Sequence, residues 1–186
     1  MRVAVLVALA VVVAAQVSAE EVPAPARALI LLRVLAYDYQ LPKRAGDTVR
    51  VAVIYRAGDG RSEAAATETA AALVDAAQHV SVAGRPVRVT SLPYTDGLDR
   101  ELARAQAAAA YVCPGLSGQA AAIATATQKS QTLTFTDDAE SVRAALSVGL
   151  VRRGDRAAIL VNLVAARAEG ADLSAALLRI AEVVKR

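Results

Sequence analysis

The chain has one cysteine, one histidine and no tryptophan in 186 residues. A single cysteine excludes an intrachain disulfide framework and a Cys-rich zinc site. A single histidine, His79, excludes a metal centre built on a His cluster. Aromatic residues make up 3%, too few to form a stacking platform for nucleic-acid bases. The net charge is only +3, and the basic residues are interspersed rather than run together, so no nucleic-acid partner is expected. There is no G-x-S-x-G elbow and no Walker A loop. Gly58-Asp59-Gly60 is too short to be a dinucleotide fingerprint. These gaps remove the common nucleophile, nucleotide and metal chemistries, and the chain is read as a non-enzyme with no cofactor.

Apolar residues make up 55% of the chain, and 45 of them are alanine. That composition excludes disorder and supports a buried core, in a length suited to one domain. Arg2 precedes an unbroken apolar run from Val3 to Ala15, and Val17-Ser18-Ala19 then supplies small residues at the −3 and −1 positions of a cleavage site. This is the pattern of a cleavable export signal. The 13-residue run falls short of the ~20 residues a membrane span requires, so no stable membrane span is expected. The reading is residues 1–19 as signal peptide and 20–186 as a single domain. The Ala- and Arg-rich composition suggests a bacterial source and hence the periplasm.

Beyond the leader, strand and helix patterns alternate. A helix is expected over 26–37, a strand over 49–55, and a helix over 63–77 with Ser62 as its cap. Further strands are expected over 87–92, 109–113 and 132–136, separated by helical segments. Two apolar runs, 147–151 and 157–164, flank a short turn at Gly154 and read as a hairpin. A last helix is expected over 173–184, burying Leu177, Ile180, Ala181 and Val184. The fold class is therefore α/β: a three-layer sandwich, mostly parallel sheet with helices on both faces and a C-terminal antiparallel hairpin.

If the first four strands lie in the order 2-1-3-4, the ligand crevice of such a sheet opens between the first and third, beyond their carboxyl ends. The loops there hold Arg56, Ser62, Gly115, Ser117 and Gly118, the candidate ligand-binding residues. The same Gly and Ser residues also suit ordinary strand-to-helix turns. Cys113 and His79 are read as structural, and Asp137 or Asp138 as a helix cap rather than a metal ligand. Asn162 and Ser174 are read as structural too, Asn162 needing a hydrogen-bond partner if buried. The first helix carries Leu29, Ile30, Leu31 and Leu32 in succession, more apolar surface than one buried stripe requires. Its cover is the rest of the domain, a second copy in a homodimer, or a partner protein.

The C-terminal third carries an ordered set of motifs: Leu133-Thr134-Phe135-Thr136-Asp137, Gly149 in an apolar strand, and Ala158-Ile159-Leu160-Val161-Asn162. Ala166, Gly170, Leu173-Ser174, Leu177-Leu178 and Ala181-Glu182-Val183-Val184 follow. With the Cys-containing strand Tyr111 to Cys113 upstream, this order resembles the YfiR/HmsC-like family of periplasmic proteins over nearly all of the mature chain. The resemblance implies a small periplasmic α/β domain without enzymatic activity. It also implies an inner-membrane signalling protein as partner, because the best-known members restrain a diguanylate cyclase and so lower cyclic di-GMP and biofilm formation. Ile30, Leu31 and Tyr37 are the candidate partner contacts. Two departures stand out. Where the family has a Trp before the Pro at the end of the first helix, this chain reads Tyr37-Asp38-Tyr39-Gln40-Leu41-Pro42. One cysteine also rules out redox control by an intrachain disulfide. The alternative function is a periplasmic small-molecule-binding module using the crevice.

Overall fold

The computed structural model describes residues 22–154 and 156–184, so the expected signal peptide at 1–19 lies outside the described residues. The strands are β1 Val49–Tyr55, β2 Val87–Pro93, β3 Ala109–Val112, β4 Leu133–Thr136, β5 Val148–Arg153, β6 Arg156–Val161 and β7 Glu182–Val183. The helices are α1 Ala24–Leu35, α2 Leu41–Ala45, α3 Gly60–His79, α4 Leu98–Ala105, α5 Ala120–Ser130, α6 Ala139–Ala144, α7 Leu163–Ala168 and α8 Ala175–Leu178. One sheet runs in the order β2-β1-β3-β4-β5-β6-β7. Strands β2 to β5 pair in parallel across β1, β3 and β4, β5 and β6 form an antiparallel pair, and β6 and β7 are parallel.

Alternation along the strands builds the three layers, because successive side chains leave opposite faces. Val51, Val53, Tyr111 and Cys113 join a core with Leu31, Leu32 and Leu35 of α1 and Leu73 of α3. Ala52, Ile54, Ala110 and Val112 meet Leu98 and Leu102 of α4 and Ile123 of α5 on the other face. Strands β3 and β4 are buried on both faces, which is why they read as near-continuous apolar runs. β2 alternates half-buried with exposed positions, as an edge strand does.

Two expectations are corrected. The cap of α3 is Asp59, whose carboxylate accepts from the N–H groups of Arg61 at 3.0 Å and Ser62 at 3.1 Å. Ser62 lies buried inside the first turn, and its Oγ accepts from the N–H of Arg56 at 2.9 Å. The long last helix is absent. Ser174 caps the short α8, and the chain then joins the sheet as β7, with the Val184 N–H donating to Val161 O at 2.8 Å. The open edge of β6 offers backbone groups that must be paired, and that demand overrides the helical spacing of the leucines.

Asn162 caps α7: its Oδ1 accepts from the Ala165 N–H at 3.2 Å, and its Nδ2 donates to Val142 O at 2.9 Å. Farther along the same segment, Glu169 is fully buried. It accepts from Thr127 Oγ1 at 2.7 Å, Thr134 N at 2.8 Å, Thr134 Oγ1 at 2.9 Å and Ser147 Oγ. One carboxyl group thus ties α5, β4 and the entry to β5 to the end of α7. Burial pushes its pKa up to about 7, against the opposing effect of the Ser147, Thr134 and Thr127 donors.

Candidate functional site

The strand order turns outward in both directions between β1 and β3, so the loops leaving these strands diverge to opposite faces. A cavity of about 470 Å³ opens at this end of the sheet. Its apolar wall is Val112, Pro114 and Leu116. Its polar groups are Arg61, Ser117, Thr136, Asp137, Asp138 and Ser141, with Cys113 also in the lining. A cleft of this size with an apolar wall and a few converging polar groups is the usual form of a small-ligand site.

Of the residues singled out in the sequence, Gly115 and Ser117 line this cavity, and Arg56, Ser62 and Gly118 do not. The cavity lies one strand farther along than the β1/β3 crevice, because the end of β4 supplies half of it. Arg56 instead bridges the two loops: its Nη2 donates to Gln119 Oε1 at 2.5 Å, holding the start of α3 to the 3₁₀ turn Ser117–Gln119. Gly115 is required by geometry. Its φ is +87°, and a Cβ there would sit 2.8 Å from Asp59 Oδ2, the cap of α3.

Asp137 and Asp138, adjacent in sequence, differ in their roles. Asp138 caps α6 through the Glu140 N–H at 3.1 Å and accepts from Ser141 Oγ at 2.6 Å. Partial burial disfavours its charge. Hydrogen bonds from Ser141, Ser117 and the Glu140 and Ser141 backbone outweigh that and hold its carboxyl below the usual range. Asp137 forms an ion pair with the buried Arg27 of α1 and accepts from Tyr111 OH at 2.8 Å. The Arg27 guanidinium also donates to Thr69 Oγ1 at 3.2 Å and stands 5.1 Å above the centre of the Tyr111 ring. Desolvation works against the charge on Arg27, but Tyr111 and Asp137 outweigh it and raise its pKa. The phenol of Tyr111 is raised as well, first by burial and then by the charge of Asp137.

Cys113 is 2% exposed, and its thiol is pushed up to about 12, chiefly by burial. At neutral pH it is a thiol and a poor nucleophile. His79 lies at the exposed end of α3, its Nδ1 3.1 Å from Asp75 O and remote from this cavity. Among the described residues, no group of three or more His, Cys, Asp or Glu is placed to hold a metal ion. The arrangement suits binding of a polar ligand.

The face of α1 put forward for a partner is largely internal. Leu31 is fully buried under the rest of the fold, which corrects its assignment as a contact residue; Ile30 is half-buried against the core, and Tyr37 is 41% exposed. The Asp137 contribution and the Arg27 behind it were missed in the sequence. Nothing local in the sequence pairs Arg27 with a residue 110 positions away.

The family model described as YfiR/HmsC-like matches residues 24–182. Several solved structures share the fold. A conserved domain protein from Vibrio cholerae O1 biovar El Tor has a TM-score of 0.62 at 12% identity, over 88% of this chain and 60% of that one. CD0873, a substrate binding protein with adhesive properties from Clostridium difficile, has a TM-score of 0.56 at 12% identity, over 78% and 57%. The ABC domain in complex with L-Trp from Streptococcus pneumoniae has a TM-score of 0.55 at 13% identity, over 81% and 60%. This chain therefore spans about three fifths of the length of each of these structures, and at such identities the likeness concerns the fold alone. No curated protein sequence matches. On the match to residues 24–182, the chain belongs to the YfiR/HmsC-like family.

Proposed function

We propose that this chain is a periplasmic regulatory protein that acts by binding the periplasmic part of an inner-membrane signalling protein, as family members that restrain a diguanylate cyclase do. The family match over 24–182 carries the reading. In this reading residues 1–19 are a leader removed on export, and 20–186 form the working domain. No helix among the described residues is long and apolar enough to cross a membrane. Tyr37, with the neighbouring Ile30, is the proposed contact with the partner, and a second copy of the chain is the alternative occupant of that surface. The function needs no catalytic group and no cofactor.

A second reading, a small-molecule-binding module, is favoured by the 470 Å³ cavity and by two fold neighbours, one a substrate binding protein and one solved in complex with L-Trp. The two readings combine if a ligand at Asp137 and Asp138 modulates the partner contact. Affinity capture from solubilised inner membranes, using protein purified from a periplasmic extract, tests them. Capture of an intact cyclase or kinase, lost in Tyr37→Asp, supports regulation. Micromolar binding of a small solute without any membrane partner favours the second reading. N-terminal sequencing of the same protein is expected to begin at Glu20.

A further inference from the structure

A second cavity, about 380 Å³, lies at the opposite end of the sheet, where β1 begins. It is lined by Lys43, Arg44, Gly46, Asp47, Thr48, Arg50 and Gln106 among others. Arg44 is fixed there. Its Nη1 donates to Ala108 O at 2.6 Å and Gln131 O at 2.9 Å, and its Nη2 pairs with Asp38. Arg85 adds a further cation at the rim, its Nε donating to Gly46 O at 2.5 Å. By contrast, no hydrogen bond or ion pair among the described residues engages the side chains of Lys43, Thr48, Arg50 or Gln106.

Arg50 has a further oddity. It pairs in register with Arg88 of β2, so the two guanidinium groups leave the same face of neighbouring parallel strands. Like charges set side by side on a sheet repel, and among the described residues no ion pair joins either arginine to a carboxylate. Basic residues in the last turn of a helix complement its dipole, which accounts for Lys43 and Arg44 at the end of α2. It does not account for Arg50 and Arg88, which lie on strands. An anion bound at Arg50 offsets the repulsion, with Lys43, the Thr48 hydroxyl and the Gln106 amide lining the same cavity as Arg50 to complete its shell. Arginine forks suit the paired oxygens of a phosphoryl group.

We propose that this cavity binds a phosphoryl-bearing anion, held by Arg50 and Lys43 of its lining and assisted by Arg88, which lies outside the lining beside Arg50 on the neighbouring strand. Asp47 is the one carboxylate in the lining and opposes binding. The phosphoryl group belongs either to a free anion or to the headgroup of an anionic lipid, and the two sources are separable. Pyrophosphate is titrated into the purified protein by calorimetry. In parallel, the protein is sedimented with vesicles of phosphatidylglycerol or of phosphatidylcholine. Pyrophosphate binding that weakens at higher salt, and at least tenfold in Arg50→Gln/Arg88→Gln, supports a free-anion site. Retention on phosphatidylglycerol but not phosphatidylcholine, lost in the same variant, supports the lipid source. Asp47→Asn is expected to tighten either interaction several-fold, a gain that a misfolded variant would not produce. The proposal is overturned if neither probe binds, or if Arg50→Gln/Arg88→Gln and Asp47→Asn leave both interactions unchanged.

Discussion

Glu169 is a carboxyl group buried among hydroxyls and one backbone N–H, with no cation among its donors. Its pKa rises on folding from an ordinary value near 4.5 to about 7. The folded state therefore holds the proton more tightly than the unfolded chain. The stability linked to this group is fully present below about pH 4.5 and is lost as pH rises through 7. The span corresponds to about 3 kcal/mol. Urea midpoints measured from pH 5 to pH 8 are expected to fall as pH rises, and Glu169→Gln should flatten that slope. The amide keeps an acceptor, and the hydroxyls of Thr127, Thr134 and Ser147 can each turn to accept its protons. Asp138 acts in the opposite sense. Its carboxyl is held below the usual range, so its contribution is present above the ordinary carboxylate value and lost only on further acidification. A slope between pH 5 and 8 that survives Glu169→Gln would assign the effect elsewhere.

At the scale of elements, the end of the chain separates what spacing implies from what the fold permits. Leu177 is fully buried, whereas Ile180, placed on the same stripe by helical spacing, is 70% exposed because α8 stops at Leu178. Leu177→Ala is expected to cost about 2–4 kcal/mol, by lost transfer energy and the cavity left behind. Ile180→Ala should stay within about 0.5 kcal/mol of the parent; thermal or urea unfolding of the two variants reads the difference. Equal losses would restore a continuous last helix. The earlier elements were legible because each signal was local: β-branched runs at Val49–Tyr55 and Val87–Pro93, polar turns between them, and a hairpin turn at Gly154. β7 was not legible, because Glu182 and Val183 become a strand only by pairing with Leu160 and Val161 of β6. Asn162 was legible as a buried polar group in need of a partner, though its place as the cap of α7 was not.

For the whole molecule, Arg27 joins the most distant parts. It lies on α1, bonds Thr69 on α3 and faces Tyr111 on β3. It also neutralises Asp137, which lies beyond β4 in the wall of the cavity. Removing Arg27 takes the buried cation away from Asp137 while the Tyr111 hydroxyl stays, so Arg27→Met is expected to cost about 3 kcal/mol. Asp137→Asn added to it should recover part of that loss. A double-mutant cycle measures the coupling, and strictly additive losses would deny it. The candidate site was legible only where strand-end topology dictates it, at Gly115 and Ser117, since sheet order alone carries loops to that place. The acidic wall was hidden because Asp137 and Asp138 look alike in sequence and are told apart only by a helix packed against them. The same long bond sets an order of events. Arg27 and Asp137 are 110 positions apart, so a chain emerging N-terminus first holds Leu31, Leu32 and Leu35 without their final cover while most of the sheet is still to come. Non-local closure of this kind is slow relative to helix formation. The apolar residues of α1 thus receive their full cover only once distant segments have arrived, and during that interval the segment stands open to holding chaperones and proteases.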